Sequence, residues 1–600
     1  MVIKNSRRSS PLKKKRLKVA PLSPIPPFRL KLTFSLLCLA LLALMGRVAQ
    51  LQLVQGFALE ARARDYQTRK VEPLGRRRSI VDRRGRLIAL DEKRYRLYAH
   101  PSKFKFVGDL QGVFRRPEEV AAKLEGVLPL TKKKLIEAFY SEETGVKLTE
   151  GLTPSIASKI ENLRIDGLDL EPYLQRIYPQ DDLFSNVVGF LDYDRVPQAG
   201  LELSLDNELL QKEKSRSYRF GRDGTPLPTD IEAGVFAVDK EHVHLTLDAR
   251  LQEVAVNALR EQLDTWKARK GAAIVMDVDN GELLVLASTP TYDPNKYWEY
   301  KSTLYKEWSV QELFEPGSTF KPINLALALE EGAIEQNGTV YDSGIVNVGG
   351  WPLTNWNKKP NGLLDFAKVL QVSSNVAMVN IIQKLNPSNY WERLNQLGIS
   401  RALITDLPGA VPGHLKQKEL FVKQPIHQAV ASYGQGFSIT PLKLVQLHAL
   451  IANGGRLVEP HIRKGFPSTI TTAKETFKKD DLLLSPDVTK IVLKWMESVV
   501  ENGSGKGVKI DNYRIGGKTG TADQTNDGIN YDSKICSFVA ILPVEHPRFV
   551  VAVAVDSPKR SYAYGSTVAV PVAKKIIESL IVVEKIPPIN NQTDFLSAQS

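Results

Sequence analysis

The chain has 600 residues, a length that predicts two or three domains. Its composition, with 42% hydrophobic and 25% charged residues, is that of a globular protein and excludes a fibrous or low-complexity one. A net charge of +14 is typical of nucleic-acid-binding proteins, but eleven basic and no acidic residues precede Glu60, which leaves 14 − 11 = +3 for residues 60–600. The positive charge is therefore concentrated in an N-terminal tail, and a nucleic-acid-binding surface is not expected.

The most apolar run of the chain, LTFSLLCLALLALMG at residues 32–46, follows this basic tail. The run is short for a membrane span, but it reaches membrane length when a snorkelling Arg47 and residues 48–54 are added. A cleaved signal peptide has a similar pattern, yet the long basic region and the lack of a clear small-x-small cleavage site favour an uncleaved anchor.

Basic residues precede the apolar run and acidic residues only follow it, so the N-terminus is expected in the cytoplasm. We predict a basic disordered cytoplasmic tail over residues 1–29 and a transmembrane signal anchor over residues 30–54. The rest of the chain is then expected outside the membrane.

A mixed region of short strands and helices, without a catalytic constellation, is predicted for residues 71–235; together with the residues from 55 onward it forms the first domain after the anchor, 55–235. Helical periodicity over residues 48–70 indicates a helix that rises from the membrane. Residues 76–91 alternate around Arg84-Gly85 and predict a hairpin, and residues 131–140 predict an amphipathic helix. Glycine, proline and charged residues accumulate over 215–234, where we place the domain boundary.

A denser and more apolar domain is predicted for residues 240–582, and a polar disordered tail for 583–600. A strand and then an amphipathic helix are expected over 242–263, with Asp248 as the N-cap. Two strands flank the turn Asp279-Asn280-Gly281, and further strands are expected near the C-terminal end, at residues 513–522, 535–543 and 548–556, before a closing helix at 569–582. Strands at both ends with helices between them predict a multidomain α+β protein whose second domain has an antiparallel sheet sandwiched by helices.

Cysteine and histidine give no sign of a metal site or cofactor. Cys38 lies in the apolar run and Cys536 in a predicted buried strand, so no disulfide framework is expected. His242 and His244 form an H-x-H pattern that can bind metal, but a half-exposed strand face explains it better. We predict no metal, no cofactor and no nucleotide-binding loop.

The first candidate catalytic motif is FEPGSTFKP at residues 314–322. Ser318 follows Pro316-Gly317, where a helix can begin with Ser318 as its N-cap, and Lys321 falls on the same helical face. A buried amine loses proton affinity and can activate a nearby hydroxyl as a nucleophile, while the helix N-terminus favours a developing oxyanion. By itself this motif more often marks a capped helix with a solvated lysine.

A second motif, VSSNVAMV, places Ser373 and Asn375 between helical patterns predicted at 363–372 and 376–384. A serine in such a loop can relay a proton to a leaving amine, and an asparagine can orient a substrate amide. The pattern has little specificity by itself.

The third motif is Lys518-Thr519-Gly520, on a predicted edge strand. Gly520, with Gly516 and Gly517, removes side chains and lets another extended backbone lie alongside. Lys518 supplies a cation, and Thr519 and Thr521 supply hydroxyls for a carboxylate.

The order S-x-x-K, S-x-N, K-T-G resembles that of penicillin-binding proteins and class A β-lactamases. The segments at 432–455 and 271–295 are similar to the transpeptidase domain of penicillin-binding proteins, and those at 77–89, 176–179 and 199–210 resemble the non-catalytic pedestal (dimerisation-type) domain of the class B branch. The resemblance covers about residues 55–582. Asn375 stands where the elongation type usually has aspartate, so the chain is most similar to the cell-division (septal) type.

This resemblance implies a peptidoglycan D,D-transpeptidase that acts through a serine acyl-enzyme. Ser318 would attack the penultimate D-Ala carbonyl, with the backbone N–H groups of Ser318 and Thr521 as the oxyanion hole. By the same resemblance, Lys321 would act as the base, Ser373 would relay a proton to the departing D-Ala, and Asn375 would hold the substrate amide. Thr519 and Thr521 would bind the carboxylate with the help of Lys518, on the strand where Gly520 has no side chain.

By the same resemblance the partners are peptidoglycan stem peptides, β-lactam antibiotics, a SEDS-type glycan polymerase, other division proteins and the membrane, with no nucleic acid. The expected location is the bacterial inner (plasma) membrane, with a single span and a periplasmic catalytic domain.

Three other functions remain open. A D,D-carboxypeptidase uses the same acyl-enzyme with water as the acceptor. A β-lactamase needs a base for deacylation; Glu392 and Asn395 resemble the class A Glu-x-x-Leu-Asn loop, but the spacing is one residue short and an amphipathic helix explains them better. A non-enzymatic division scaffold or β-lactam sensor would keep the fold, although all three motifs are complete.

Overall fold

The computed structural model describes residues 27–71, 75–106, 116–211, 216–219, 242–465, 482–523, 534–560 and 562–589. The chain divides into two compact units, one formed by residues 1–73 with 213–237 and the other by residues 74–212 with 238–600. The predicted disordered tail over residues 1–26, most of the predicted boundary at 215–234 and the last residues, 590–600, lie outside the described part.

The first unit consists of a long apolar helix and a short continuation. Its elements are α1 (Pro27–Ala49), a π-helical turn (Gln50–Val54), α2 (Gly56–Gln67), and the antiparallel pair β1 (Thr68–Val71) and β8 (Arg216–Arg219). Residues Pro27–Val54 have a mean hydropathy of 2.1 over their most apolar window and no buried residue there, so this helix is long and apolar enough to cross a membrane.

Two details of this unit differ from the sequence prediction. Residues 27–29 are helical rather than part of a disordered tail, because Pro27 can begin a helix whose first N–H groups need no partner. Residues 68–70 belong to strand β1 and not to the predicted helix over 48–70, because they pair with β8.

The second unit begins with the region predicted as a pedestal. Its elements are β2 (Ile80–Val81), β3 (Leu87–Ala99), β4 (Lys105–Phe106), α3 (Pro117–Leu124), α4 (Lys132–Ser141), β5 (Val146–Leu152), α5 (Pro154–Asn162), β6 (Ile165–Asp166), β7 (Leu168–Ile177), α6 (Ser185–Val188), α7 (Gly200–Ser204) and α8 (Asp206–Leu209). The predicted hairpin at 76–91 is confirmed, since β2 pairs antiparallel with β3 across Gly85, whose φ is +87°. The helix predicted at 131–140 is α4, capped by the Thr131 hydroxyl.

A buried ion cluster holds this region together. Glu202 has no exposed surface and accepts hydrogen bonds from Arg77 Nε at 2.9 Å and Arg176 Nε at 2.7 Å. Arg77 also donates to the backbone oxygen of Glu202 at 2.9 Å. A buried carboxylate requires such partners, because an unpaired charge in the interior is strongly unfavourable.

The rest of the second unit contains the larger sheet and its helices. Its elements are β9 (Val243–His244), α9 (Ala249–Trp266), β10 (Lys270–Asp277), β11 (Leu283–Thr289), α10 (Trp308–Gln311), α11 (Lys321–Glu330), β12 (Thr339–Asp342), β13 (Ile345–Val348), β14 (Trp351–Thr354), β15 (Gly362–Asp365), α12 (Phe366–Val372), α13 (Asn375–Ile382), α14 (Pro387–Gln396), α15 (Lys418–Lys423), α16 (Pro425–Ala431), α17 (Pro441–Ala452), α18 (Pro486–Asn502), β16 (Gly516–Asp523), β17 (Lys534–Leu542), β18 (Phe549–Asp556) and α19 (Gly565–Val583).

The predicted antiparallel sheet with helices on both faces is confirmed. Its strand order is β11-β10-β18-β17-β16, and each neighbouring pair is antiparallel. Side chains alternate between the faces: Ala273 and Val275 pack with α9 and α19, whereas Ile274 and Met276 belong to the other core, with α17 and α18. Because both faces are covered, the strands are almost continuously apolar.

Asp248 begins α9 as predicted, since its carboxylate accepts from the Arg250 N–H at 3.0 Å. The predicted strands around Asp279-Asn280-Gly281 are β10 and β11, and Gly281 has a φ of +86°. Cys536 is a fully buried residue of β17, where burial raises the pKa of its thiol to about 12. It is a small core residue, as predicted.

The pedestal and the larger sheet region share a core. Ile80 and Phe184 belong to the same apolar cluster as residues of α11 and α17, and β2 pairs in parallel with β9. Two ion pairs add to the junction: Arg84 Nε lies 3.1 Å from Asp248 Oδ2, and Arg83 Nη1 lies 3.1 Å from Glu584 Oε1.

The predicted disordered tail over 583–600 begins too early. Ile586 is buried in the core next to α19, and the Ile589 N–H donates to the Asn512 carbonyl at 3.0 Å. Residues 583–589 are ordered because this apolar side chain and this backbone group find partners in the domain.

Candidate active site

Ser318 lies in a 3-10 turn, Gly317–Phe320, directly before α11. The predicted N-cap role is wrong: the residue before α11 is Phe320, and no side chain caps this end. Gly317 explains the tighter turn, because its φ is +56° and its N–H donates to the Gly434 carbonyl at 2.8 Å. The Ser318 side chain is consequently half-buried and not engaged in a cap.

Lys321 is the first residue of α11 and has no exposed surface. Its Nζ donates to the Ser373 carbonyl at 2.7 Å and to Asn375 Oδ1 at 2.8 Å, and lies 3.2 Å from Ser373 Oγ. These contacts use all three donors of an ammonium group, and no hydrogen bond in the described part of the chain joins Lys321 Nζ to Ser318 Oγ. Burial, and then the positive charge of Lys518, lower the pKa of Lys321 well below its usual range, while Asp342 opposes the shift.

Lys518 reaches the same hydroxyl from the sheet. Its Nζ donates to Ser373 Oγ at 3.0 Å and to the Thr519 carbonyl at 2.9 Å. Burial lowers the pKa of Lys518 to about 7. The hydroxyl of Ser373 thus lies between two buried amines that belong to different sequence motifs.

The backbone at Ser373 explains how this turn presents two acceptors. Ser373 ends α12 in the left-handed conformation, with a φ of +57°, which costs a non-glycine residue on the order of 1–2 kcal/mol. The next residue, Ser374, begins α13 and its hydroxyl accepts from the Ala377 N–H at 2.9 Å. The carbonyl and the hydroxyl of Ser373 therefore both face Lys321.

The helices around this turn are close to the prediction but shorter. The helix predicted over 363–372 begins at Phe366, because residues 362–365 form β15 and Asp365 then caps the Lys368 N–H at 2.7 Å. The helix predicted over 376–384 is α13, Asn375–Ile382.

A polar network behind the turn was not predicted from the sequence. Asp342, which is fully buried, accepts from Ser374 Oγ at 2.7 Å and from Asn355 Nδ2 at 2.8 and 2.9 Å. Asn355 Oδ1 in turn accepts from the backbone N–H groups of Asn375 at 2.9 Å and Val376 at 3.2 Å. Burial would raise the pKa of Asp342, but these and other hydrogen bonds outweigh burial and lower it.

Strand β16 carries the third motif at the edge of the sheet. Among the described strands it pairs with β17 alone, so its other edge is open. A Cβ on Gly520 would lie 2.4 Å from Ser537 Oγ and 2.9 Å from Thr319 Cγ2, so only glycine brings this strand so close to the turn that holds Ser318.

The two threonines of this strand have different surroundings. Thr519 Oγ1 shares a hydrogen bond of 2.6 Å with Ser504 Oγ, and its side chain is mostly buried. Thr521 is exposed, and its hydroxyl accepts from the Gly565 N–H at 3.2 Å. Each hydroxyl can turn toward a bound carboxylate.

Comparisons of the chain with protein families and with individual known proteins agree with one another. The description "Penicillin binding protein transpeptidase domain" matches residues 271–578, and "Penicillin-binding Protein dimerisation domain" matches residues 74–233. The "Peptidoglycan D,D-transpeptidase FtsI homolog" of Mesostigma viride is 35% identical over 91% of this chain and 94% of its own, and that of Chlorokybus atmophyticus is 32% identical over 93% and 97%.

The chain belongs to the class B penicillin-binding proteins. A solved structure described as a peptidoglycan synthetase from Bifidobacterium adolescentis supports the fold, with 25% identity, a TM-score of 0.64, and coverage of 87% of this chain and 97% of that one. The resemblance seen in the sequence is confirmed at the level of the family and of its two domains.

Within this class B penicillin-binding protein, the structure brings together most of the residues singled out from the sequence. Hydrogen bonds connect Lys321, Ser373, Asn375 and Lys518, although they come from three distant motifs. Ser318 is one helical turn before Lys321, and Gly520 lies against the neighbouring Thr319. Sequence reasoning missed Asp342, Asn355 and Ser504, which have no motif of their own.

Two other sequence patterns have structural explanations. Glu392 is a residue of helix α14 and pairs with Lys418 at 2.6 Å, as an amphipathic helix predicts. His244 ends strand β9 and His242 precedes that strand; both side chains are exposed, with ring centroids 6.3 Å apart.

Proposed function

We propose that this penicillin-binding protein is a peptidoglycan D,D-transpeptidase that cross-links stem peptides through an acyl-enzyme on Ser318 during septal wall synthesis. The observation that carries the proposal is the buried Lys321 amine, one turn from Ser318 and hydrogen-bonded to Ser373 and Asn375. Burial lowers the pKa of Lys321 well below its usual range, which makes the neutral amine, the form that can act as a base, easier to reach than in an exposed lysine. The relatives described above are named as D,D-transpeptidases, which supports the same reaction.

In the first step Lys321 Nζ accepts the proton of Ser318 Oγ, and that oxygen attacks the carbonyl carbon of the penultimate D-Ala. A tetrahedral intermediate forms, and its oxyanion faces the backbone N–H groups of Ser318 and Thr521. Fixed donors of this kind stabilise charge that appears only in the transition state.

In the second step the C–N bond to the terminal D-Ala breaks, and the leaving amine needs a proton. Ser373 Oγ lies 3.2 Å from Lys321 Nζ and 3.0 Å from Lys518 Nζ. A hydroxyl accepts two hydrogen bonds and donates one, so it can pass the proton from Lys321 to the leaving amine. The amine of a second stem peptide then attacks the ester carbonyl. The new amide bond forms, the bond from that carbon to Ser318 Oγ breaks, and the proton lost by the amine returns to Ser318 Oγ through the same basic group, Lys321.

The open edge of β16 would bind the donor peptide as an added strand. Asn375 uses Oδ1 to accept from Lys321 and one N–H to donate to the Thr354 carbonyl at 3.2 Å. Its second N–H remains for a substrate amide. Thr519 and Thr521 would bind the terminal carboxylate, with Lys518 supplying positive charge.

Several parts of the proposal extend the family assignment. A β-lactam would mimic the D-Ala-D-Ala end and leave Ser318 as a stable ester.

The domain limits proposed from the sequence are 30–54 for the anchor, 55–235 for the pedestal and 240–582 for the transpeptidase domain. The N-terminus would be cytoplasmic and the catalytic domain periplasmic, on a bacterial inner membrane.

The septal role rests on Asn375 and on the FtsI-type relatives. A SEDS-type polymerase and other division proteins would be the partners, and the anchor with the helix after it would contribute to that contact. Replacement of residues 30–70 by an unrelated anchor is then expected to abolish division function and to leave penicillin binding intact. Normal division with the replaced anchor would contradict this part.

Acylation of the full-length protein in detergent by a fluorescent penicillin tests the enzyme proposal, with Ser318→Ala as the control. Intact-mass measurement is expected to show a long-lived adduct on Ser318 that the variant lacks. Loss of the adduct within seconds would indicate a β-lactamase, and a folded protein without any adduct would indicate a scaffold. Incubation with a donor peptide and an amine acceptor then separates transpeptidation from hydrolysis by a carboxypeptidase.

A further inference from the structure

The residues just before Ser318 are held in place by two other parts of the domain. The first is strand β16: a Cβ on Gly317 would lie 3.1 Å from the Cβ of Ala522, which belongs to that strand. The second is the loop that joins α16 to α17. We call residues 433–439 of this loop the cradle, because its backbone and side chains contact the turn that carries Ser318.

Backbone hydrogen bonds join the cradle to the segment before Ser318 at two points. Phe314 and Ile439 exchange a pair of them, at 2.9 and 3.0 Å, and the Gly317 N–H donates to the Gly434 carbonyl at 2.8 Å. Gly434 has a φ of +82°, and a Cβ on it would lie 2.1 Å from the Gly317 carbonyl oxygen. Only glycine therefore lets the two backbones come so close at this point.

Glu315 adds a side-chain contact between these two backbone contacts. Its Oε1 accepts from the Gly436 N–H at 3.0 Å, and within the described part of the chain this carboxylate has no other hydrogen bond or ion pair. Burial raises the pKa of Glu315, while the Gly436 N–H opposes that shift. Burial, and then the charge of Glu315, raise the pKa of the neighbouring Tyr433 to about 12. A half-buried carboxylate without a cation is unfavourable, so its contribution here is the backbone group that it holds.

The turn decides where Ser318 Oγ lies relative to its base. Lys321 is held separately, by its hydrogen bonds to the second motif. Phe320, between the serine and the lysine, packs edge to face on Phe437 of the cradle, with ring centroids 4.8 Å apart. The serine therefore meets the amine only while the turn keeps its place, and a misplacement of about 1 Å can slow a reaction by about a hundredfold.

We propose that Glu315 is a positioning residue for Ser318: by holding the Gly436 N–H it fixes the cradle against the turn and so places Ser318 Oγ within reach of Lys321. The proposal rests on the proposed function, because it assumes that Ser318 is the nucleophile. The contact requires an oxygen that accepts a hydrogen bond, and the negative charge is secondary. Because Glu315 acts on the position of the nucleophile, it affects the acylation step and not the binding that precedes it.

Stopped-flow acylation of the full-length protein in detergent, over a range of penicillin concentrations, separates these two steps. In Glu315→Ala the rate constant of acylation is expected to fall about tenfold or more, while the dissociation constant of the first complex changes by less than about twofold. Glu315→Gln keeps an oxygen for the Gly436 N–H and is expected to recover most of the rate. Glu312→Ala is the matched control, because Glu312 precedes the same turn but pairs with Lys270, and its rate constant is expected to stay native.

Amide hydrogen exchange tests the contact without any chemistry at Ser318, which separates this proposal from the proposed function. The N–H groups of Gly317 and Gly436 are expected to exchange faster in Glu315→Ala than in Glu315→Gln or the native protein. Unchanged exchange in Glu315→Ala would overturn the proposal, even if the native protein forms no acyl-enzyme.

Two kinetic outcomes would also overturn it. A lower melting temperature of Glu315→Ala with a native rate constant for the folded fraction would show that the residue serves stability alone. An equal loss of rate in Glu315→Gln would show that the charge matters and not the hydrogen-bond acceptor.

Discussion

Lys321 and Lys518 are both fully buried, and both point an amine at the hydroxyl of Ser373, at 3.2 and 3.0 Å. Two ammonium groups so close to one hydroxyl repel each other, and burial already disfavours both charges. The pair therefore holds fewer protons near pH 7 than two exposed lysines would. Their titration belongs to the pair, so a change to one amine is expected to appear in the behaviour of the other.

The first prediction concerns the pH dependence of acylation. The rate is expected to rise with pH as Lys321 loses its proton. In Lys518→Met the neighbouring positive charge is gone, so the pKa of Lys321 rises. The rising limb of the curve of acylation rate against pH is then expected to move to higher pH, with a slower rate overall. Stopped-flow acylation by a penicillin over pH 5–10 measures this shift.

The control for this experiment is Lys443→Met. Lys443 is also buried, and burial lowers its pKa to about 8, but its Nζ pairs with Gln446 instead of the motifs. The limb is expected to stay in place in this variant. A limb that does not move in Lys518→Met would show that the two amines are not coupled.

The second prediction is a shift of the same limb in the opposite direction, to lower pH. The negative charge of Asp342 raises the pKa of Lys321, so Asp342→Asn is expected to move the same limb to lower pH. The asparagine side chain keeps an oxygen that can accept the hydrogen bond from Ser374 Oγ, so the variant removes the negative charge and changes the shape of the side chain little. Asn355→Ala is the structural counterpart: it leaves two backbone N–H groups without an acceptor and is expected to slow acylation without moving the limb in that direction. An unmoved limb in Asp342→Asn would exclude an electrostatic role for this carboxylate.

The third prediction concerns stability. Burial lowers the pKa of Lys518 to about 7 in the folded protein, whereas a lysine in the unfolded chain has a pKa of about 10.4. Between these values the unfolded chain binds more protons, so the contribution of Lys518 to the free energy of unfolding increases with pH and is lost as pH falls toward 7. Denaturation at pH 7 and pH 9.5 is expected to show a smaller pH effect in Lys518→Met than in the native protein. Lys133→Met, at an exposed lysine of α4, is the control, and a slope equal to the native one in Lys518→Met would refute the prediction.

Much of the fold followed from local patterns. The hairpin at Gly85, the cap at Asp248 and the strands around Gly281 depend on residues close in sequence, and all three have the predicted form. The motifs also predicted that Ser373 and Lys518 belong to one site, because they match a family pattern, and the structure places the two side chains 3.0 Å apart.

The missed features depend on contacts between distant segments. Asp342 meets Ser374 across 32 residues and Asn355 meets Asn375 across 20, so no local pattern contains either pair. The 3-10 turn at Ser318 arises from the contact between Gly317 and Gly434, again far apart in sequence. Strands β12 to β15 are only four residues long and were not predicted as strands, because such runs carry too little periodicity.

The fourth prediction is that Gly520→Ala impairs the site through sterics alone. The added Cβ would lie 2.4 Å from Ser537 Oγ and 2.9 Å from the methyl group of Thr319, next to Ser318. Relief of this overlap must move β16 or the turn, with an expected loss of about 1–3 kcal/mol of stability and slower acylation. Gly75→Ala is the control, since its Cβ would meet Leu210 at an ordinary 3.5 Å. A Gly520→Ala protein with native melting temperature and acylation rate would show that the contact is not tight in solution.

The fifth prediction separates the pedestal from the chemistry. Glu202 is buried between Arg77 and Arg176, so Glu202→Ala leaves two buried guanidinium groups with fewer partners. Removal of one member of such a cluster typically costs about 3–5 kcal/mol. By contrast, Glu137→Ala removes an exposed pair with Lys133, for which at most about 0.5 kcal/mol is expected. Urea denaturation measures both variants, and penicillin acylation of the folded fraction is expected to stay near the native rate. The pedestal and the sheet region share one apolar core, so we expect a single unfolding transition that shifts as a whole to lower urea concentration in Glu202→Ala. An early transition confined to the pedestal would show that the shared core does not couple the two regions.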